Sequence, residues 1–322
     1  MQKMLAAMYD QPGEPEVLYV RDVSTPSPGA GEVLIRHRAV AIEGGDLINR
    51  ALTPPDAAGS PLGYSAAGDI VAVGENVEHL KVGDRVSSFG SAGSHAELRC
   101  LPIQQVWVLP ENLSYDKAAA LTIPFGTADH SLFAVGGLSE SQTVLIQAGA
   151  GAVGFASIQL ARQAGAHVIT TVGGIDRAQQ LRNAGAHHVI DYTNSNVIQA
   201  VTELTDGRGV DLVIDPVGST LQNSIGSLAA GGHLVFNGNA GGTPLQVDLW
   251  PALQGNIRLS GVFMGTQFAQ TAVRHRITSM LHRAAKSAIT VPIDRHFALT
   301  DVVTAHHYAQ ARKSIGRVIL RP

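Results

Sequence analysis

A run of strand-forming residues leads directly into Gly149-Ala-Gly151-Ala-Val-Gly154, and this combination constrains the fold more than any other part of the chain. After a strand, the first glycine permits a tight turn, the second lets the backbone approach a pyrophosphate, and the third lets a helix pack closely on the sheet. The helix start offers N–H groups and a positive dipole end to the phosphates. The pattern predicts dinucleotide binding. The alternative is a glycine-rich turn that serves only helix packing.

The end of the next strand indicates which dinucleotide is bound. This strand, His167 to Val172, is followed by Gly173, where NAD-preferring proteins usually carry an acid that binds the ribose 2′-hydroxyl. An acid would repel a 2′-phosphate, whereas Arg177 can pair with one. Arg177 lies in the first turn of a predicted helix from Asp176 to Ala184, where a cation is mildly unfavourable without an anion. We therefore predict NADPH; the alternative is that Arg177 is simply an exposed helix residue.

Composition indicates an ordinary globular α/β chain. The 322 residues are 45% hydrophobic and 15% charged, and the length predicts about two domains. A net charge of −3 and the lack of a basic block argue against nucleic acid as a partner. The single cysteine, Cys100, excludes an intramolecular disulfide framework and is typical of a cytoplasmic protein. No signal-peptide core and no apolar run of 18 residues is present, so we expect no membrane segment.

The pattern of secondary structure changes along the chain. Residues 1–122 contain short β-like runs separated by Gly and Pro, which predict a small β-barrel. Residues 123–265 alternate strands with helices, which predicts five right-handed crossovers and a doubly wound sheet. The six predicted strands are Val144–Ala148, Val168–Val172, Val189–Asp191, Asp211–Asp215, His233–Phe236 and Ile257–Val262. We expect residues 266–322 to complete the first domain and an interdomain cleft to hold the cofactor and substrate.

Further motifs occur in a characteristic order. They are Gly31-Glu-Val-Leu-Ile, Gly63-Tyr-Ser-Ala-Ala-Gly68, Val82-Gly-Asp-Arg-Val86, Gly93-Ser-His-Ala-Glu97, Gly185-Ala-His-His-Val-Ile-Asp-Tyr192 and Gly316-Arg-Val-Ile-Leu320. With the glycine pattern, they resemble the medium-chain dehydrogenase/reductase superfamily, and within it the zeta-crystallin-like quinone oxidoreductases. The resemblance implies an α/β fold with a GroES-like β-barrel catalytic domain and a doubly wound, six-stranded Rossmann domain that binds NADPH. It also implies a homodimer.

The chain departs from the superfamily's zinc-binding members, which use three protein ligands around an open position. Where those members place metal ligands, this chain has Glu43, Tyr64-Ser65 and Pro124-Phe125-Gly126. One cysteine also cannot form their four-cysteine structural zinc site. The adjacent pairs His187-His188 and His306-His307 do not share a face of a helix or strand. We therefore predict no metal site.

The resemblance assigns cofactor contacts beyond Gly149, Gly151, Gly154 and Gly173. These further contacts are Thr127, Ala152, Val153, Arg177, Tyr192, Phe236, Asn237, Gly238, Val262, Phe263 and Arg317. The family places Thr127 beside the nicotinamide amide, and Arg177 and Tyr192 at the 2′-phosphate. The alternative for Phe236, Val262 and Phe263 is that these apolar residues at strand ends belong to the core.

Two acids are candidates for the acceptor pocket. The family's Asn-x-x-Asp reads Glu43-Gly-Gly-Asp46 here, so an acid replaces an amide in a chain without a predicted metal site. A carboxylate there would be costly to bury without a partner. We hypothesise that Glu43 donates a proton with a raised pKa. Asp46 orients the site or merely pairs with Arg50.

These features predict an NADPH-dependent, zinc-independent reductase of quinones that works by hydride transfer. Quinones and conjugated carbonyls need little Lewis-acid help, because the developing negative charge is delocalised. An enoyl or 2-alkenal reductase remains an alternative, because the same parts serve a different acceptor. A non-enzymatic binding protein stabilised by NADPH is a third possibility.

Overall fold

The computed structural model describes residues 2–56, 59–313 and 315–322. The chain divides into two compact units. Unit 1 comprises Met1–Ile123 and Gln267–Pro322, and unit 2 comprises Pro124–Thr266. Within the described ranges, no helix is both long enough and apolar enough to cross a membrane.

Unit 1 is built mainly from antiparallel strands. Its strands are β1 (Lys3–Met8), β2 (Tyr19–Ser24), β3 (Glu32–Ala41), β4 (Ser65–Val73), β5 (Arg85–Phe89), β6 (Leu98–Pro102), β7 (Val106–Val108), β14 (Ile293–Ala298) and β15 (Arg317–Arg321). Its helices are α1 (Gly44–Leu52), α8 (Thr271–Ala285) and α9 (Val302–Gln310), and α2 (Tyr115–Asp129) contains the boundary with unit 2.

The main sheet of unit 1 is organised around β3. The strand order is β14-β15-β3-β4-β5-β7, and β6 also pairs with β3, while β1 and β2 form a separate antiparallel pair. The C-terminal strand β15 pairs antiparallel with β3 through Ile319 opposite Ala41. Opposite His37 on β3 lies Gly68 of β4, where an added Cβ would lie 1.9 Å from the Arg36 carbonyl oxygen. The close approach of these two strands therefore requires glycine at position 68.

Unit 2 is a six-stranded, fully parallel sheet. Its strands are β8 (Thr143–Ile146), β9 (His167–Val172), β10 (His188–Asp191), β11 (Val210–Asp215), β12 (Leu228–Phe236) and β13 (Arg258–Gly261). The helices are α3 (Ala152–Gln163), α4 (Ala178–Ala184), α5 (Val197–Leu204), α6 (Leu221–Gly226) and α7 (Trp250–Gln254). The order β10-β9-β8-β11-β12-β13 reverses direction between β8 and β11, as doubly wound sheets do. The predicted doubly wound fold is confirmed.

Two predicted boundaries are wrong at the glycine-rich turns. The strand predicted to end at Ala148 ends at Ile146, because Ala148 has a φ of 54° and a left-handed residue cannot continue a strand. The helix predicted from Asp176 starts as a 3₁₀ turn, Ile175–Arg177, and becomes α-helical only at Ala178. Both differences arise where the chain turns sharply after a strand.

A buried histidine pair connects distant parts of unit 1. Nε2 of His95 lies 3.1 Å from Nε2 of His306 on α9, and both rings are fully buried. Burial, followed by the charge of Arg99, lowers the pKa of His95 to about 3. Burial and then the neighbouring His95 and Arg50 lower the pKa of His306 as well. Both rings are therefore neutral in the folded protein at neutral pH.

We expect the free energy of unfolding to fall as the pH drops below about 6.5, where the unfolded state binds protons that the two buried rings do not. Each ring adds a slope of up to about 1.4 kcal/mol per pH unit. Above that pH both states are neutral, so the contribution to the pH dependence disappears. Urea unfolding at pH 7.5 and 5.5 measures this loss of unfolding free energy on acidification. His306→Gln should lose less stability on acidification than the exposed-residue control His79→Gln; equal losses would contradict the assignment.

Candidate functional site

The glycine turn lies between β8 and α3, at the carboxyl end of the parallel sheet. A Cβ on Gly149 would lie 2.2 Å from Thr170 Oγ1, and a Cβ on Gly154 would lie 2.2 Å from the Ala148 carbonyl oxygen. Packing inside unit 2 therefore requires both glycines. At Gly151, which is exposed, the nearest atom to an added Cβ is 3.2 Å away. The missing side chain at Gly151 thus leaves room for a ligand to approach the backbone.

The start of α3 has the features of an anion-binding site. Its N-cap is Gly151, no side chain caps it, and its first turn carries no acid. The N–H groups of Ala152, Val153 and Gly154 have no acceptor within the helix, because the first turn of any α-helix lacks one. These donors and the helix dipole fit a pyrophosphate. The residues present therefore fit a dinucleotide.

The ends of β9 and β10 bring the predicted 2′-phosphate residues together. The exposed Tyr192 places its hydroxyl oxygen 2.5 Å from the position that a Cβ on Gly173 would take. A guanidinium nitrogen of Arg177 lies 3.9 Å from the equivalent position on Gly174. Gly174 has a φ of 94°, which favours glycine there. Gly173, Arg177 and Tyr192 thus surround one corner of unit 2.

Two acids lie near this corner. Asp191 accepts hydrogen bonds from the Gly174 N–H at 3.1 Å, from the hydroxyl and N–H of Thr193, and from the Asn194 amide. These hydrogen bonds, led by the Thr193 hydroxyl, lower the pKa of Asp191 to about 2. Asp191 therefore holds the loop together as a carboxylate. The second acid, Asp176, has Oδ1 2.8 Å from a Cβ position on Gly174, and sequence reasoning did not consider its charge.

The predicted nicotinamide-side residues lie at the ends of β12 and β13 and on α2. Asn237 donates from its side chain to Ser131 Oγ at 2.9 Å and from its backbone N–H to the Asp215 carbonyl at 3.0 Å. Gly238 lies against the Pro216 carbonyl oxygen, 2.7 Å from an added Cβ. Thr127 is buried on α2. The turn after β12 therefore requires glycine at position 238, because a larger residue does not fit beside Pro216.

The three apolar candidates differ in burial. Phe236 lines an apolar pocket of about 170 Å³ together with Leu234 and Leu259. Val262 is buried and donates its N–H to the Phe236 carbonyl at 2.9 Å. Phe263 is 76% exposed. The core alternative therefore fits Phe236 and Val262 but not Phe263.

In unit 1 a buried cluster of charge forms where α1 begins. The Glu43 carboxylate lies 2.5 Å from an Arg317 guanidinium nitrogen, which also donates to the Ile42 carbonyl oxygen at 2.6 Å. Asp46, the third residue of α1, accepts from the N–H of the N-cap residue Glu43 at 2.8 Å, which is one half of a capping box. Glu43 and Asp46 are almost fully buried. The structure thus places Arg317, predicted as a cofactor contact, beside Glu43. Asp46 does not pair with Arg50, whose guanidinium donates to Gly13 and Gln310.

Two buried carboxyl groups lie beside the Arg317 guanidinium, and the buried Arg99 also interacts electrostatically with Asp46. Burial raises the pKa of Asp46 to about 8, and the neighbouring Glu43 contributes to the rise. Burial also raises the pKa of Glu43, although Arg317 opposes the shift. Because burial raises the pKa of Asp46 to about 8, the pair retains a proton at neutral pH. A buried acid that holds a proton is chemically suited to proton donation.

Tyr64 is a residue at this cluster that the sequence reasoning passed over. Its hydroxyl accepts a hydrogen bond from the Asn49 amide at 2.6 Å, and its ring lies over Gly45, where an added Cβ would be 2.3 Å from the ring. Burial raises the pKa of Tyr64 to about 12, so it remains a phenol. The sequence signal for Tyr64 is that it stands with Ser65 where zinc-binding members of the superfamily carry metal ligands.

The positions of zinc ligands in other members of the superfamily hold residues that are engaged elsewhere. Within residues 2–56, 59–313 and 315–322, no group of three or more His, Cys, Asp or Glu side chains is arranged to hold a metal ion. Of the residues at zinc-ligand positions, Ser65 donates to the Ala119 carbonyl at 2.7 Å and Glu43 binds Arg317.

Comparison with known proteins identifies the family. The model of the alcohol dehydrogenase GroES-like domain matches residues 29–111, and that of the zinc-binding dehydrogenase domain matches residues 152–285. A quinone oxidoreductase of Pseudomonas aeruginosa is 34% identical over 96% of this chain and 97% of its own length. The chain belongs to the quinone oxidoreductase family. The predicted resemblance and the GroES-like plus Rossmann fold class are confirmed.

Two other relatives have more specific descriptions. The crystal structure of Escherichia coli quinone oxidoreductase complexed with NADPH superposes with a TM-score of 0.94 at 28% identity, covering 99% of this chain and 100% of that one. A 2-haloacrylate reductase of Burkholderia sp. is 29% identical over 99% of both chains. The chain is therefore similar to reductases whose names specify different acceptors.

Proposed function

We propose that this protein is an NADPH-dependent, zinc-independent oxidoreductase that reduces quinones by hydride transfer. Unit 2 is the NADPH-binding domain, and unit 1 is the substrate domain. The observation that carries the proposal is the glycine turn at α3 together with Gly173, Arg177 and Tyr192 at the next strand ends. The relatives named quinone oxidoreductase, one of them complexed with NADPH, support it.

The residues of this chain bind and orient the reactants. When bound, NADPH would supply a hydride to the acceptor, and the Glu43–Asp46 pair would supply a proton. The α3 N-terminus would bind the pyrophosphate, and Arg177 would pair with the 2′-phosphate. Asn237, whose side chain donates to Ser131, and Thr127 would border the nicotinamide. Quinones suit this arrangement because their developing charge is delocalised and needs little electrophilic assistance.

Zinc independence is supported by the chemistry at the positions where zinc-binding members carry ligands. Glu43 is bound to Arg317, whose positive charge would repel a cation. Tyr64 stays protonated because burial raises its pKa to about 12, and a protonated phenol is a poor ligand. Ser65 is fully buried and donates its hydrogen to a backbone carbonyl.

The proposal is tested by measuring NADPH oxidation with para-quinones, ortho-quinones, 2-alkenals and 2-haloacrylates as acceptors. We expect quinones to give the highest kcat/KM, and activity to survive treatment with a strong chelator. Higher activity with 2-haloacrylates or 2-alkenals would favour the second candidate, a conjugated-carbonyl reductase, which the Burkholderia relative supports. No oxidation with any acceptor would exclude both.

Coenzyme preference should depend on the two opposite charges at the 2′-phosphate corner. Arg177→Gln should lower kcat/KM for NADPH about tenfold, the value of one charge-assisted contact, and leave NADH little changed. Asp176→Asn should act in the opposite direction, because it removes an acid beside the same corner. Steady-state kinetics with both coenzymes measure the preference. An NADPH/NADH ratio that neither variant changes would contradict the role of this corner.

We also assign proton donation to the Glu43–Asp46 pair. Activity should decline as the pH rises through the raised pKa of the pair, which is about 8 at Asp46, because the donor loses its proton. Glu43→Gln should lower kcat by roughly 100-fold and alter this alkaline limb. The dissociation constant of NADPH serves as the control and should not change. If Glu43→Gln keeps the kcat of the wild type across the pH range, the assignment is wrong.

A homodimer is proposed through the exposed edge of the unit 2 sheet. β13 is an edge strand, and Trp250, Leu253 and Phe263 near it are all more than 60% exposed. An exposed strand edge with large apolar side chains favours pairing with a second copy. Light scattering should show a dimer, and Leu253→Glu should give a monomer. Leu204→Glu, on α5, should remain dimeric; a monomeric wild type would refute the proposal.

A further inference from the structure

A continuous chain of buried hydrogen bonds joins the turn after β8 to the loop after β11. Gln147 accepts at Oε1 from the Thr171 hydroxyl at 2.8 Å and donates from Nε2 to Ser224 Oγ at 3.1 Å. The Ser224 hydroxyl donates to Asp215 Oδ2 at 2.7 Å. All four side chains are fully buried, with at most 1% exposure. The chain therefore crosses the interior of unit 2 without solvent.

The direction of every hydrogen bond in this chain follows from Asp215. Its carboxylate accepts from the N–H groups of Val217 and Gly218 and from two hydroxyls, one of which belongs to Ser224. Ser224 has one hydrogen and donates it to Asp215, so its oxygen must accept from the Gln147 amide. The Gln147 carbonyl then remains for the Thr171 hydroxyl. The charge of Asp215 thus sets the orientation of Gln147.

The far end of the chain reaches the glycine turn. Having donated its hydrogen to Gln147, the Thr171 oxygen accepts from the Ala148 N–H at 3.0 Å. Ala148 has a φ of 54°, a conformation that its side chain disfavours. Its carbonyl accepts from the Gly151 N–H at 2.9 Å and lies against Gly154. The series of hydrogen bonds therefore ends on Ala148 and holds this strained residue, which shapes the turn.

The location of this chain matches the topology of the sheet. Gln147 directly follows β8, and Asp215 ends β11, the two strands between which the strand order reverses. In doubly wound sheets, ligands bind in the crevice outside the carboxyl ends of these strands. The hydrogen-bonded chain underlies this crevice.

We propose that Gln147 is a positioning residue for the dinucleotide, which transmits the orientation set by Asp215 to Ala148 and keeps the glycine turn in its binding conformation. The inference rests on the proposed NADPH binding and deepens it. Gln147 acts through the backbone and does not touch the reacting atoms.

The first test compares Gln147→Met with Gln142→Met. Gln142 immediately precedes β8, so the two variants change the same residue type at opposite ends of one strand. Gln147→Met leaves Thr171 and Ser224 without their partner, and the dissociation constant of NADPH, measured by fluorescence titration, should rise about tenfold. At saturating NADPH, kcat should stay within about twofold of wild type. Gln142→Met should bind as wild type does.

The second test reverses the direction of the hydrogen bonds that join positions 215, 224 and 147. Gln147→Glu alone places a carboxylate opposite an oxygen that has no hydrogen to donate, and Asp215→Asn alone removes the acceptor for Ser224. In the double variant, the amide introduced at position 215 donates to Ser224, whose hydroxyl then donates to the carboxylate introduced at position 147, at unchanged net charge. Both single variants should lower the melting temperature of the cofactor-free protein, and the double variant should recover at least half of the larger loss.

These outcomes separate the inference from the proposed function. Failure of the wild type to bind NADPH refutes the proposed function. Equal NADPH affinity in Gln147→Met and Gln142→Met, with a wild type that binds, refutes the positioning role alone. A double variant that melts no higher than the worse single variant refutes the assigned direction. If Asp215→Asn does not fold, Ser224→Ala replaces it: combined with Gln147→Met, it should weaken NADPH binding no more than the stronger single change, and additive losses would overturn the proposal.

Discussion

The contact between Gly154 and the Ala148 carbonyl is the constraint on which unit 2 depends. A Cβ at position 154 would lie 2.2 Å from that oxygen, so any other residue would move α3 away from the end of β8. The missing Cβ at Gly154 also leaves room for the carbonyl of Ala148, whose left-handed conformation its own side chain disfavours. Because α3 begins immediately after this turn, the direction of its N-terminal N–H groups follows from the same contact.

In unit 1 the corresponding constraint is buried charge. Glu43 and Asp46 are buried beside Arg317, and a lone buried carboxylate would be strongly unfavourable. Arg317, from the last strand, compensates Glu43, and the remaining charge is avoided because the pair keeps a proton. The position of β15 beside β3 is therefore coupled to the electrostatics of the cluster, since β15 carries Arg317.

Much of the fold was predictable because its signals are local. The six strands of unit 2 were predicted from short apolar runs, and the structure contains all six in a doubly wound order. The errors lie at strand and helix ends, as at Ala148, where a left-handed residue shortens β8. Of the candidate site, Gly173, Arg177 and Tyr192 were named from the sequence, and the structure brings them together. The pairing of Arg317 with Glu43 was not foreseen, because nothing near either residue indicates it.

Local sequence was enough to establish the class of unit 2 and the location of its glycine turn, because the spacing of three glycines and the periodicity of apolar residues act over a few positions. Which polar groups meet inside the protein depends instead on how distant segments pack. Gln147, Thr171, Ser224 and Asp215 lie on separate elements, and their order in the hydrogen-bonded chain follows from strand register and burial. The contacts of Tyr64 and of the carboxyl cluster also depend on the packing of distant segments. The Glu43–Asp46 pair retains its proton because folding removes water from both acids.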